Sequence, residues 1–358
     1  MPTIPKTMCG VVLTGHGGLE RLVWREDLPV PIPGDGEVLI RVRASSVNNT
    51  DINTRTAWYS KTVRDGTGAG ALSGNIAADD ADGGWSGDAI TFPRIQGADC
   101  CGDIVAVGPG VPEARIGERV LVRALQATGA SGDAFATWTF GSECDGGFAQ
   151  FTKTYAVDAL AVRSDWSDVE LASIPCAYAT AEGMLQRANV QAERVLVTGA
   201  SGGVGSAAIQ LSKRRGAQVT ALTSPGKVAQ IRALGADETI LRDAALPEDT
   251  FDVVVDLVAG PRWPDLIGAL RRGGRYVTAG AIAGPIVELD VRTLYLRDLS
   301  FFGTTFQPDN ILPDVIGYIE RGELSPKIAQ VFDLRDLHAA QQAFLDKNHI
   351  GKIAIRIP

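Results

Sequence analysis

Seven residues near the middle of the chain constrain its fold more than any others: Gly199-Ala200-Ser201-Gly202-Gly203-Val204-Gly205. They follow a short apolar run, Val195-Leu196-Val197, that reads as a buried strand, and they precede a stretch to Lys213 that reads as a helix. Glycines at such a corner permit a tight turn and let a ligand approach the backbone closely. The helix start beyond them presents free N–H groups and the positive end of the helix dipole, which suits a pyrophosphate. A glycine-rich helix entry that serves only packing is the plainer reading. The strand–loop–helix setting favours a dinucleotide fingerprint, with Gly199, Ser201, Gly202, Gly203, Val204 and Gly205 as cofactor contacts.

The surrounding pattern agrees. From about residue 165 the chain alternates helix and strand: a helical segment over 168–188, a strand at 219–222, a helix over 225–234 and a strand at 253–255. A helix near 264–271 and a strand at 276–278 continue it. This alternation predicts a doubly wound parallel sheet. The earlier part reads differently. Glu37–Ala44 alternates with period two, and 104–107 and 119–122 repeat that signal between Gly and Pro punctuation, which predicts a twisted antiparallel barrel. Two stretches, 60–92 and 124–146, are rich in Gly, Asp, Ala and Ser and have no period. A loop as long as the first is uncommon in a compact domain, and it reads as either functional or a surface insertion. After a strand at 299–304 come helices over 311–320 and 334–346 and a last strand over 352–357. The expected architecture is α/β: a barrel domain over 1–163, a Rossmann domain over 164–305, and a return of 306–358 to the barrel.

Composition narrows the function. A chain of 358 residues exceeds what one hydrophobic core usually supports, so two domains are expected. The formal net charge of −8 disfavours nucleic acid as a partner. No apolar run reaches the ~20 residues of a membrane span, and the opening Met1-Pro2-Thr3 leads into no apolar leader, so a cytoplasmic protein is expected. The 5 cysteines include no Cys-x-x-Cys pair, which argues against a disulfide scaffold or a four-cysteine zinc lobe.

Cofactor choice turns on the end of the second strand of the alternating region, where an acid usually holds the ribose hydroxyls of NAD. Here it reads Leu222-Thr223-Ser224-Pro225-Gly226-Lys227, with no acid. Ser224 and Lys227, with Arg242 nearby, suit a 2′-phosphate, so NADPH is expected over NADH.

The residues then show a resemblance. Val47-Asn48-Asn49-Thr50-Asp51-Ile52-Asn53, Gln96-Gly97-Ala98-Asp99-Cys100-Cys101-Gly102, the 199–205 loop, Gly235-Ala236-Asp237, Gly273-Gly274-Arg275 and Gly351-Lys352 fall in an order that resembles the medium-chain dehydrogenase/reductase superfamily. Within it the chain looks most like the zinc-free quinone oxidoreductases and enoyl reductases. The resemblance implies a GroES-like barrel with a Rossmann domain, and cofactor contacts at Thr180, Gly280 and Lys352. It also implies a homodimer or homotetramer, with 299–304 as a candidate edge strand.

Zinc-type relatives bind the metal through a Cys, a His and a later Cys or Asp. Asn48 and Ala98 stand in the first two places, and Cys176 alone remains. No zinc is therefore expected, although Asp99, Cys100 or Cys101 and Cys176 could form a makeshift site. The resemblance further implies hydride transfer to a small-molecule quinone or α,β-unsaturated carbonyl. Tyr59 is the implied proton donor and Asn48 orients the nicotinamide or acceptor oxygen, while Asn53 and Trp58 line the pocket. Asp51 reads as the holder of its turn. Two other readings stay open: an alcohol dehydrogenase with a non-standard zinc site, and a non-enzymatic NADPH-binding structural or RNA-associated protein.

Overall fold

The structure, a computed structural model, describes residues 4–75, 78–126, 135–136 and 138–358. Met1-Pro2-Thr3, residues 76–77 of the first irregular stretch, and 127–134 and 137 of the second lie outside the described residues. The chain divides into two compact units. One comprises Met1–Val63, Gly70–Cys176 and Ile328–Pro358; the other comprises Arg64–Ala69 and Ala177–Lys327.

In the first unit Glu37–Val47 is the central strand. It pairs antiparallel with Cys101–Val107, Phe151–Tyr155 and Lys352–Arg356, and this sheet continues outward through Arg119–Val122 and Ala159–Ala161 on one side and Ile328–Asp333 on the other. A smaller sheet joins Thr7–Leu13 to Leu22–Pro29 and Arg94–Ile95. The alternating apolar positions of these strands, among them Leu13, Val38, Ile40, Ile104, Ile353 and Ile355, converge with Phe140 and Phe148 on one buried core. Period-two patterning with one face buried is what fixes such a register.

Register also positions chemistry. Ile353 pairs with Val47 and Ala354 with Ser46, so Lys352 falls beside Asn48 at the end of the ladder. On the other side Ala44 pairs with Cys101, which brings Asp99 and Cys100 alongside Ser45 and Ser46. Three strand ends distant in sequence thus meet at one point.

In the second unit the strands run in the order Glu238–Leu241, Gln218–Thr223, Arg194–Val197, Phe251–Asp256, Leu270–Thr278, Ser300–Gly303, and all pairs are parallel. Phe251–Asp256 is buried throughout, as a strand covered on both faces must be. Among the described residues no helix is long and apolar enough to cross a membrane.

The structure corrects several expectations. The division falls after Cys176 rather than 163, and the return begins at Ile328 rather than 306. The reason for the second shift is helix Ile311–Glu320, which buries Ile311, Leu312, Val315, Ile316 and Ile319 within the nucleotide-type unit. Its Tyr318 hydroxyl donates to Glu182 at 3.3 Å. The helix expected over 168–188 is two helices, Asp168–Leu171 and Pro175–Arg187. The break falls just before Pro175, whose ring disfavours helical geometry in the residue preceding it. The strand expected at 276–278 spans Leu270–Thr278 and takes over the end of the helix expected to 271. The 60–92 stretch carries no strand or helix among its described residues, but it is anchored: Arg55, fully buried, donates to the Ala71 carbonyl at 2.6 Å, and Asn75 donates to the Thr56 carbonyl at 3.0 Å.

Candidate active site

Two constellations carry chemistry, one in each unit. In the nucleotide-type unit the loop after Arg194–Val197 turns at Gly199, whose φ of 57° lies in the left-handed region that glycine adopts without strain. The Gly202 N–H donates back to the Gly199 carbonyl at 2.9 Å, and Gly202 caps helix Gly203–Arg214. Gly205 is needed for closeness: a Cβ there would lie 2.2 Å from the Gly199 carbonyl oxygen. The first N–H groups of this helix have no partner within it, an arrangement that suits an anion. Gly280, past the end of Leu270–Thr278, lies at the same carboxyl edge of the sheet, where an added Cβ would meet the Leu257 carbonyl oxygen at 3.1 Å.

Beside the cradle stand the groups expected to read a 2′-phosphate. Lys227 Nζ donates to Ser201 Oγ at 3.3 Å. Burial, then the neighbouring Arg242, lowers the Lys227 pKa, so the two cations share one neighbourhood. Ser224 caps the short turn Pro225–Lys227 that aims Lys227. Sequence reasoning missed Arg262, whose guanidinium donates to the Arg242 carbonyl and, at 2.9 Å, to that of Ala244, bracing the Arg242 loop. Thr180 sits half-buried on helix Pro175–Arg187 with no hydrogen bond to another expected site residue.

In the barrel unit the hub is Asp99, fully buried. Its Oδ2 accepts from Ser46 Oγ, from Asn48 Nδ2 at 2.7 Å and from Lys352 Nζ at 2.9 Å, while Oδ1 accepts from the Cys176 N–H at 2.7 Å. Lys352 Nζ also donates to Asn48 Oδ1. Asn48 begins helix Asn49–Arg55 in a reciprocal capping box with Asp51. Asp51 holds its turn as expected: its carboxylate accepts from the backbone N–H groups of Asn48, Gly97 and Ala98. Burial pushes the Asp51 pKa up to about 7, against the pull of those N–H groups, and the nearby Asp99 carboxylate adds to the rise.

Tyr59 lies close by. Its hydroxyl donates to Thr50 Oγ1 at 3.1 Å, and burial raises its pKa far above the ordinary tyrosine value, which keeps it protonated. Trp58 meets the Tyr59 ring edge-on at 5.8 Å between centroids, and Asn53 is buried with its amide oxygen unpartnered among the described residues. Asp99, Ser46 and Thr50 were not anticipated in these roles. The one sequence signal for Ser46 was the polar pair Ser45-Ser46 near the end of strand Glu37–Val47.

The residues do not fit a zinc ion. At the expected ligand positions stand an amide already hydrogen-bonded at both ends, a methyl group at Ala98, and the Cys176 thiol, whose pKa burial raises. The makeshift set fails too: Asp99 is saturated, and Cys101 Sγ turns to Asp168 at 3.8 Å. No group of three or more His, Cys, Asp or Glu residues able to hold a metal occurs among the described residues.

Comparison with known proteins fits this frame. The alcohol dehydrogenase GroES-like domain family matches residues 34–164, and the zinc-binding dehydrogenase family matches 203–321. The chain is 27% identical to acryloyl-coenzyme A reductase of Metallosphaera sedula, over 97% of this chain and 99% of that one. It is 27% identical to human quinone oxidoreductase, over 85% and 82%. A solved structure from Sinorhizobium meliloti 1021, assigned provisionally as an alcohol dehydrogenase, superimposes with a TM-score of 0.87 at 42% identity, over 100% of this chain and 99% of that one. The chain is an oxidoreductase of the medium-chain dehydrogenase/reductase superfamily, built from a GroES-like unit and a Rossmann-type unit.

Proposed function

We propose that this enzyme uses NADPH, without zinc, to reduce α,β-unsaturated carbonyl compounds or quinones. The observation that carries the cofactor choice is the Ser201–Lys227–Arg242 grouping at a strand end with no carboxylate. A carboxylate there would repel a 2′-phosphate, whereas two cations and a hydroxyl attract it.

The reduced nicotinamide, when bound, supplies the hydride. The N–H groups at the start of helix Gly203–Arg214 hold its pyrophosphate, and Lys227, Arg242 and Ser224 hold the 2′-phosphate. In the barrel unit Tyr59 carries a proton at its phenolic oxygen; once that proton is given up, the Thr50 hydroxyl beside it can hydrogen-bond to the phenolate until water reprotonates it. Trp58 and Asn53 shape the acceptor pocket, and the acceptor is a small molecule.

Among acceptors, an enoyl thioester is favoured by the similarity to acryloyl-coenzyme A reductase, and a quinone by that to quinone oxidoreductase. The same reading includes a homodimer: Ser300–Gly303 edges the parallel sheet, and Val291, Tyr295 and Leu296 beside it are exposed apolar side chains. Light scattering on the purified protein checks the dimer, with a monomer refuting it.

The test of function is a screen of NADPH and NADH oxidation against enones, enoyl thioesters, quinones and aldehydes, with metal analysis of the same preparation. NADPH-dependent turnover of an enone, thioester or quinone, undiminished by chelator, is expected. Chelator-sensitive turnover confined to aldehydes would favour the alcohol dehydrogenase reading instead.

A further inference from the structure

We propose that Lys352 is a catalytic residue of this site: its buried ammonium is the cation that stabilises the negative oxygen formed when hydride adds to the acceptor. The proposal rests on the reductase reading above. It begins from a count of hydrogen-bond donors in the barrel unit. Asn48, the residue expected to steady the acceptor oxygen, has its amide N–H groups committed to Asp99 Oδ2 at 2.7 Å and to the Ser46 carbonyl at 3.3 Å. Its oxygen accepts from Lys352. An amide held this way has no proton left to offer an oxyanion.

Lys352 differs. An ammonium carries three N–H groups. Two are accounted for, on Asn48 Oδ1 and Asp99 Oδ2, and the third has no partner among the described residues. The lysine side chain is only 4% exposed and that of Asp99 is 0% exposed, so the charge is held where water screens it weakly. Asp99 is itself fixed by Ser46 and by the Cys176 N–H, which prevents the pair from drifting. The cation stands against Asn48 and within electrostatic reach of Cys176, which is itself within such reach of the Tyr59 hydroxyl. A fixed ammonium there supplies a charge of the sign a metal would bring, without needing metal ligands.

The step balances without a further reactant. Hydride from the reduced nicotinamide forms a bond to the β carbon of an enone, the double-bond pair moves toward the carbonyl oxygen, and that oxygen becomes an enolate. Lys352 donates a hydrogen bond to it and keeps its proton. The α carbon then takes a proton from Tyr59 or water, which restores the carbonyl. The nicotinamide is oxidised and the alkene is reduced by the same two electrons.

The test replaces both charges together, Lys352→Met with Asp99→Asn, so that no unpaired charge is left buried. The first readout needs neither cofactor nor turnover. Bound 4-nitrophenol, titrated by its absorbance, should ionise at lower pH on the wild type than free in solution, and this shift should vanish in the double variant. The second readout is kinetic: kcat should fall about 100-fold, the usual effect of losing one oxyanion donor, with the NADPH dissociation constant unchanged within threefold. Should the double variant not fold, Lys352→Arg keeps the cation, and it should retain the nitrophenol shift. Loss of that shift in Lys352→Arg, or its persistence in the double variant, overturns the proposal. So does a tenfold weaker NADPH affinity with kcat preserved, which would make Lys352 a cofactor contact. A wild type that reduces no polarised acceptor sinks the reductase reading, while the nitrophenol titration still judges the ammonium.

Discussion

Gly205→Ala isolates how closely the phosphate cradle is built. The added methyl would stand 2.2 Å from the Gly199 carbonyl oxygen, 2.7 Å from its carbonyl carbon and 2.8 Å from Ala200 Cα. All three are backbone atoms, so no side chain can turn aside. Relief to ordinary contact requires the loop or the helix start to move by ~1 Å. Overpacking of this kind costs about 1–3 kcal/mol. The better helix propensity of alanine returns about 1 kcal/mol, so net stability falls by at most ~2 kcal/mol. Binding suffers more, because the same shift misaims the N–H groups of the cradle. Loss of one hydrogen bond to a charged group is worth about 1.5–3 kcal/mol, or roughly 10–100-fold in the NADPH dissociation constant. Fluorescence titration of NADPH measures the affinity, and thermal denaturation measures the stability. Gly268→Ala is the control: it lies inside helix Trp263–Ala269 with nothing within 4 Å of the added Cβ, so it should leave affinity alone and stabilise by about 0.4–1 kcal/mol. A Gly205→Ala protein that binds NADPH within threefold of wild type would refute the steric argument.

Three other outcomes are expected. Lys227→Ala should raise the KM for NADPH about tenfold or more and leave that for NADH nearly unchanged; equal effects on both cofactors would show that Lys227 does not read the 2′-phosphate. Tyr59→Phe should keep NADPH affinity and lower turnover at least ~tenfold, the low end of what a proton donor contributes, and unchanged turnover would reject the role. Asp51 sets a pH dependence. Its pKa is raised on folding to about 7, so the folded state holds a proton there that the unfolded chain releases above about pH 4. Its contribution to stability is therefore complete below the unfolded pKa and declines as pH rises through 7. Thermal denaturation of wild type and Asp51→Asn should show the wild type losing ground between pH 5 and 8, and a difference that does not change with pH would contradict the sign.

What could be seen in the sequence was what is local in it. The Val195–Val197 strand, the glycine loop and the helix to Arg214 are contiguous, and each depends on steric rules that act over a few residues. Helix Ile311–Glu320 could be bounded from its apolar periodicity alone. Which unit that helix joins could not, because the Tyr318–Glu182 contact that ties it down spans 136 positions. The same holds for Cys101, whose partner Asp168 is 67 residues away.

The barrel site is the extreme case, and it explains why family resemblance alone gave a list of replaced zinc ligands rather than a working centre. Asn48, Asp99 and Lys352 each have a plain local reading: a helix cap, a buried acid after a glycine turn, and a charge opening the last strand. Their joint meaning depends on two strand registers, Ile353 on Val47 and Ala44 on Cys101. Shift the first by one residue and the lysine turns to the opposite face of its strand; shift the second and Asp99, two residues ahead of Cys101, no longer lies alongside Ser46. An ammonium with no acid beside it would be too costly to bury, as would the acid without the ammonium. The registers and the ion pair therefore require one another.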